Sequence, residues 1–93
     1  MTIERKLIVN NKHGLHARPA TNLVKLAQKF KSETILYKVD DKNTKADCKS
    51  VLSILLLGAI KGTELILHGN GIDAPNAIEE ISGFFERNFD EVV

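Results

Sequence analysis

The chain has 93 residues, and we expect residues 1–93 to form a single domain whose core needs neither disulfides nor metal ions. With 43% hydrophobic and 27% charged residues and a formal net charge of +1, the composition gives no general field that would attract nucleic acid or a membrane surface. No stretch approaches the roughly 18 apolar residues of a membrane span, the first residues do not form a signal peptide, and the single cysteine agrees with a reducing compartment. We therefore expect a cytoplasmic protein that binds no nucleic acid and does not insert into a membrane.

The first predicted element is a strand over residues 2–9, where apolar and polar side chains largely alternate. Turn-forming residues 10–14 then lead to a predicted helix over residues 17–30. The apolar positions of this helix recur at helical spacing and are Ala20, Leu23, Val24, Ala27 and Phe30.

A histidine lies where this helix begins. Gly14 lets the preceding backbone bend, and Pro19 fits the first turn because its missing N–H would have no helical acceptor. The free N–H groups and the dipole at the helix start favour an anion beside His16, and Arg18 could neutralise a phosphate there. Histidine is partly uncharged near neutral pH, as a nucleophile must be. The pattern indicates a phosphate-accepting His16, and a histidine that only caps the helix is the alternative.

The middle of the chain predicts a hairpin and a short helix. Residues 34–39 are rich in strand formers, and turn residues 40–43 precede a polar run that ends at Asp47, so the second strand of the hairpin is predicted to be weak. Residues 50–57 predict an unusually apolar helix with Ser50 as its N-cap, ended by Gly58.

A strand over residues 63–68, a turn over residues 69–71 and a helix over residues 74–89 complete the predicted elements. The predicted buried positions of the last helix are Ala74, Ala77, Ile78, Ile81, Phe84, Phe85 and Phe89. The order βαββαβα favours an α+β domain, in which two long helices cover one face of an antiparallel sheet and leave the other exposed.

The segment Gly14-Leu15-His16-Ala17-Arg18-Pro19-Ala20 resembles the active-site signature of HPr, the histidine phosphocarrier of the bacterial phosphoenolpyruvate-dependent sugar phosphotransferase system. The resemblance covers the whole chain and implies an open-faced β-sandwich with a four-stranded antiparallel sheet and three helices. It implies that His16 takes a phosphoryl group from enzyme I through Nδ1 and hands it to the IIA domains of sugar permeases, with Arg18 stabilising the phosphate. A carrier of this kind is not an enzyme, and we expect a monomer without cofactor or metal.

A second segment, residues 49–58, resembles the regulatory-serine region of the same family. In many relatives the serine that matches Ser50 is phosphorylated by HPr kinase/phosphorylase. The alternative is that Ser50 is only an N-cap, a role worth about 1 kcal/mol without any regulation.

The short helix is too apolar to bury all of its side chains, so we expect an exposed docking surface beside the histidine, with Ile54 and Leu57 in the core. The resemblance assigns partner contacts to Thr21, Lys25, Val51, Leu52 and Leu55. Many relatives have methionine at the positions of Leu52 and Leu55. The chain is also about three residues longer between His16 and Ser50 than common relatives, and residues 40–45 are the expected place of a loop insertion.

Three alternatives stay open. His13, His16 and His68 could bind a metal, although no cysteine cluster or acidic neighbour completes a ligand set in the sequence. A small phosphate-handling enzyme such as an acylphosphatase would need a glycine-rich phosphate loop, which is not evident. A nitrogen-related or purely regulatory HPr paralogue would keep the same histidine and serve another pathway.

Overall fold

The computed structural model describes residues 1–91 and confirms the predicted order of elements. The elements are β1 (Thr2–Ile8), α1 (Ala17–Ala27), β2 (Glu33–Lys38), β3 (Asp41–Asp47), α2 (Val51–Leu56), β4 (Glu64–Asn70), α3 (Ala74–Glu86) and a short 3-10 turn (Asn88–Asp90). None of the helices in this part of the chain has both the length and the apolar character needed to cross a membrane.

The four strands form one antiparallel sheet in the order β1-β4-β2-β3. Along β4, Leu65 and Leu67 are fully buried, whereas Ile66 and His68 between and beyond them are only half-buried. Because successive side chains of a strand point to opposite faces, the helices cover one face of the sheet and the other remains open. This is the open-faced β-sandwich that the resemblance implies.

The core lies between the sheet and the helices. Its largest fully buried side chains include Leu23, Leu36, Ile54, Leu57, Leu65, Leu67, Ile78 and Ile81. The predictions for Ile54 and Leu57 are therefore confirmed. Helix α1 ends at Ala27, three residues before its predicted end. The backbone N–H groups of Lys29 and Phe30 donate to the carbonyl oxygens three residues earlier, those of Leu26 and Ala27, at 3.1 Å, which is the tighter spacing common at helix ends.

The β2–β3 hairpin contains a bulge of three residues on β3. Tyr37 pairs with Lys45, and the next residue, Lys38, pairs with Asp41, so residues 42–44 have no partner on β2. The Asp41 carboxylate accepts the backbone N–H of Asn43 at 3.1 Å and the hydroxyl of Thr44 at 2.6 Å, which holds the bulge in shape. The bulge falls within the range predicted for an insertion. β3 spans seven residues, and the gap in its pairing with β2 agrees with the weak second strand that the sequence predicts.

The predicted turn over residues 69–71 is wrong at its first two positions. Gly69 and Asn70 belong to β4, and Asn70 pairs with Thr2 of β1. A β-carbon on Gly69 would lie 3.2 Å from the side chain of Ile78. The glycine thus permits close packing of α3 on the sheet.

Helix α3 also ends earlier than predicted, at Glu86. Asn88, Phe89 and Asp90 adopt left-handed backbone angles with φ of 53°, 60° and 57°, a conformation that costs about 1–2 kcal/mol for a residue other than glycine. Phe89 nevertheless remains in the core, as predicted, with its ring 5.3 Å from that of Phe84 and 4.8 Å from that of Phe85. Burial of this aromatic ring offsets part of the strain and turns the chain back along the domain.

Asp73 joins the loop after α1 to the start of α3. Its carboxylate accepts the Ser32 hydroxyl and also the backbone N–H groups of Lys31 and Ser32, at 2.8 and 2.9 Å. The hydroxyl bond, followed by the backbone bonds, lowers the pKa of Asp73 to about 2. Because folding favours the ionised carboxyl, this group stabilises the folded state whenever it is charged.

The contribution of Asp73 to stability should depend on pH. It should be present in full above the ordinary carboxyl pKa of 3.8 and should be lost as the pH falls through about 2. We expect Asp73→Asn to lower the free energy of unfolding in urea near neutral pH, and the difference from the unmodified chain to shrink toward about pH 2. Asp40→Asn, at an exposed turn position, is the control. A difference that stays constant with pH would contradict this role.

Candidate functional site

His16 occupies the N-cap position of α1, as the sequence predicts. Its backbone is extended, with φ of −81° and ψ of −172°, and the helix begins at Ala17. The His16 side chain makes no capping bond with this helix, so the alternative of a histidine that only caps is not supported. The side chain is 38% exposed, which leaves the ring accessible at the positive end of the helix dipole.

The turn before His16 is fixed by two contacts. Gly14 has φ of 66°, and a β-carbon on it would lie 2.5 Å from the carbonyl oxygen of Ala59. The next residue, Leu15, donates its N–H to that oxygen at 2.9 Å, and its side chain is buried. The loop that carries His16 is therefore tied to the loop that follows α2.

A carboxylate contacts the imidazole ring. Oε2 of Glu91 lies 2.9 Å from Nε2 of His16, and Oε1 of Glu91 accepts a bond of 2.8 Å from Nδ2 of Asn11. Nδ2 of Asn11 also donates to the Gly14 carbonyl at 2.8 Å. Burial opposes ionisation of Glu91, but the bonds from Asn11 and His16 outweigh it and lower the pKa of Glu91. Sequence reasoning missed both Asn11 and Glu91.

Arg18 is the second residue of α1 and is exposed. Within residues 1–91 its guanidinium forms no ion pair. It lines an open cleft of about 400 Å³ together with Asn22, Phe84, Phe89, Asp90 and Glu91. An exposed guanidinium is well suited to bind carboxylate or phosphate oxygens.

Ser50 is the N-cap of α2, as predicted. Its hydroxyl oxygen accepts the backbone N–H of Ser53 at 3.2 Å, and the Ser53 hydroxyl accepts the N–H of Asp47 at 2.9 Å. These two bonds join the end of β3 to the start of α2. Ser50 is half-buried and adjoins the exposed side of this helix.

The apolar surface predicted beside the histidine is present. Leu52 is 67% and Leu55 40% exposed, and Val51 is partly buried against the core. Leu56, which the sequence places among the side chains of this helix that cannot all be buried, is 74% exposed, and Ile60, which sequence reasoning missed, is 72% exposed. The apolar patch as defined here comprises Val51, Leu52, Leu55, Leu56 and Ile60.

Ile60 brings the patch to the loop before His16, because a β-carbon on Gly14 would lie 3.0 Å from its Cα atom. On α1, Thr21 and Lys25 are both exposed, and the Thr21 hydroxyl donates to the Ala17 carbonyl at 2.9 Å. The residues assigned to partner contacts thus lie on two elements, α1 and α2, that pack against each other.

The three histidines do not converge. The rings of His13 and His16 are 5.7 Å apart, edge to face, but His68 lies on the open face of the sheet with Nδ1 2.9 Å from Glu4. Contrary to the sequence analysis, His16 does have an acidic neighbour, Glu91. Even so, no group of three or more histidine, cysteine or acidic side chains in the described part of the chain could hold a metal ion.

The chain is similar to known phosphocarrier proteins over nearly its whole length. Residues 3–87 match the family model described as "PTS HPr component phosphorylation site". The chain is 34% identical to phosphocarrier protein NPr of Klebsiella oxytoca over 98% of this chain and 99% of the relative. It is 38% identical to phosphocarrier protein HPr of Xylella fastidiosa over 96% and 97%. The crystal structure of HPr-C-His from Thermoanaerobacter tengcongensis is similar, with a TM-score of 0.88, 34% identity, and coverage of 98% and 99%.

The turn that presents His16 should tolerate no side chain at Gly14. Gly58 has almost the same backbone angle, φ of 65° against 66°, but a β-carbon there would meet nothing closer than Lys38 Nζ at 4.0 Å. Gly58→Ala therefore measures the backbone cost alone, about 1–2 kcal/mol. We expect Gly14→Ala to lower the free energy of unfolding in urea by clearly more than Gly58→Ala. Equal losses would mean that the contact with Ala59 relaxes at no cost.

Proposed function

Since the chain belongs to the HPr family of phosphotransferase-system phosphocarriers, which carry phosphoryl groups and are not catalysts, we propose that its His16 accepts the group from phosphorylated enzyme I. His16 then passes the group to IIA domains of the sugar phosphotransferase system. The observation that carries this proposal is the accessible His16 ring at the start of α1, two residues before an exposed Arg18.

The step needs a nucleophile and compensation for charge. The free N–H groups at the start of α1 and the guanidinium of Arg18, two residues after His16, both favour negative charge near the ring. Because Arg18 forms no ion pair within residues 1–91, it does not have to break one to bind the phosphate. Arg18 thus stabilises the group as it arrives and as it leaves, and no cofactor or metal takes part.

Partners dock on the surface around His16. We assign this role to the apolar patch, with Thr21 and Lys25 at its edge on α1. A small apolar surface bordered by a lysine fits a carrier that must bind several partners weakly and release each quickly. These partners work in the cytoplasm, and a single-domain monomer over residues 1–93 leaves the whole surface free for them.

A regulatory role for Ser50 fits the same surface. Phosphate on Ser50 would lie at the start of α2 and place about −1.5 to −2 charges beside Val51 and Leu52. An HPr kinase/phosphorylase is the partner that would add it. The hydroxyl already caps the helix, so the unmodified serine also has a structural role.

A nitrogen-related pathway is the second candidate, because relatives named NPr are similar over 98% of the chain. Their 34% identity and the 38% identity of an HPr relative do not separate the two pathways. His16 and Arg18 serve either one. The enzyme I that donates the phosphoryl group therefore distinguishes them.

The proposal can be tested by measuring the transfer of labelled phosphate from phosphoenolpyruvate to the chain. The transfer is measured once with an enzyme I of the sugar system and once with an enzyme I of the nitrogen system. We expect acid-labile label on His16, faster with the sugar-system enzyme I, and none in His16→Ala. Arg18→Ala should slow transfer about 10- to 100-fold, as expected for loss of a charge-assisted contact worth about 1.5–3 kcal/mol.

The matched controls are His13→Ala, whose ring lies 5.7 Å from that of His16, and Lys29→Ala, an exposed cation in the turn that follows α1. Both should take up label at the rate of the unmodified chain. Faster transfer from the nitrogen-system enzyme I would favour the second candidate. Label that persists in His16→Ala, or no label with either donor, would refute His16 as the acceptor.

The role of Ser50 can be tested without its kinase. Ser50→Asp adds charge and Ser50→Asn does not, while both side chains are good N-caps. We expect both variants to unfold at similar urea concentrations and only Ser50→Asp to bind enzyme I more weakly in calorimetry. If both bind as the unmodified chain does, Ser50 is a cap without a regulatory role.

A further inference from the structure

Resting on the proposed function, we propose that Glu91 is a positioning residue for transfer. It keeps the proton of His16 on Nε2 and so leaves Nδ1 as the nucleophile. The separation of 2.9 Å between Glu91 Oε2 and His16 Nε2 is that of a strong hydrogen bond. A carboxylate that carries its charge can only accept such a bond, so the ring nitrogen must donate.

The Glu91 carboxylate is held in place by a hydrogen bond from Asn11 and by the buried segment that precedes it. Asn11, which is 3% exposed, donates to its other oxygen at 2.8 Å and is itself anchored on the Gly14 carbonyl. On the other side, buried Phe89 fixes the left-handed segment that precedes Glu91. With its side chain only 18% exposed, Glu91 has little freedom to leave the ring.

The charge state agrees with an acceptor role. The bonds that Glu91 accepts from Asn11 and His16 lower its pKa despite its burial, so the group is ionised near neutral pH. Nearby charged or titratable groups are His13, Arg18 and Asp90. Within residues 1–91, the Glu91 carboxylate forms hydrogen bonds with Asn11 and His16 and with none of these three groups.

The transfer step then needs no proton movement. The Nδ1 lone pair of His16 forms a bond to phosphorus while the bond between phosphorus and the donor group breaks, and the donor group takes that electron pair. The His16 ring, still protonated on Nε2, gains a positive charge beside the Glu91 carboxylate. When the group passes on, the phosphorus–Nδ1 bond breaks, its electron pair returns to Nδ1, and the ring becomes neutral again. A fixed carboxylate is suited to stabilise the charge that develops in both directions.

Glu91→Gln tests this role with little change of shape. A glutamine amide can accept from Nε2–H or donate to a bare Nε2, so it no longer selects one tautomer. Long-range proton–nitrogen NMR should find His16 mainly as the Nε2–H tautomer in the unmodified chain and as a mixture in Glu91→Gln. Single-turnover transfer into and out of His16 should slow about tenfold, as for other groups that orient a reactive histidine. Glu80→Gln, an exposed position on α3, is the matched control and should change neither result.

An unchanged tautomer in Glu91→Gln overturns the inference, even if transfer slows. A changed tautomer with transfer rates within about twofold also overturns it. Both outcomes leave the proposed function intact as long as label reaches His16 in the unmodified chain. Absence of label there would instead refute the proposed function, and the NMR experiment would still measure the tautomer independently. Urea unfolding of Glu91→Gln checks that any loss of rate is not a loss of fold.

Discussion

The geometry of the site depends on how closely the loop before α1 approaches the loop after α2. Only glycine fits at position 14, where a β-carbon would lie 2.5 Å from the Ala59 carbonyl oxygen, and Leu15 binds the same oxygen. One loop carries His16, and the other adjoins the apolar patch. A change at this junction would therefore alter the distance between the His16 ring and the surface on which partners are proposed to dock.

A nonpolar contact also supports the polar part of the site. The Phe89 ring packs on Phe84 and Phe85, which keeps three strained residues in the left-handed conformation and brings Glu91 back to His16. The resulting carboxylate lies on one side of the ring, while the guanidinium of Arg18 lines the adjoining cleft. The carboxylate that contacts Nε2 of His16 thus lines the same cleft as Arg18.

Much of this arrangement could be predicted from the sequence, because periodicity and helix-start residues act locally. The order βαββαβα, the position of His16 and the Ser50 cap follow from such local signals. Glu91 could not be found in this way. The apolar repeat of the last helix continues through Phe89, and no glycine marks residues 88–90 as adopting the left-handed conformation that brings Glu91 to His16. Likewise, Gly69 looked like a turn residue, whereas its small size serves the contact with α3. Both misses concern contacts between segments distant in sequence.

The bulge on β3 has a consequence for how copies of the chain meet. β3 forms one edge of the sheet, where unpaired backbone groups can recruit another strand and start aggregation. Residues 42–44 interrupt that row of groups, and Lys42 and Lys45 add exposed charge along it. A second chain could not pair continuously with such an edge. This edge, one of the two that the sheet presents, is therefore a poor template for fibre-like self-association.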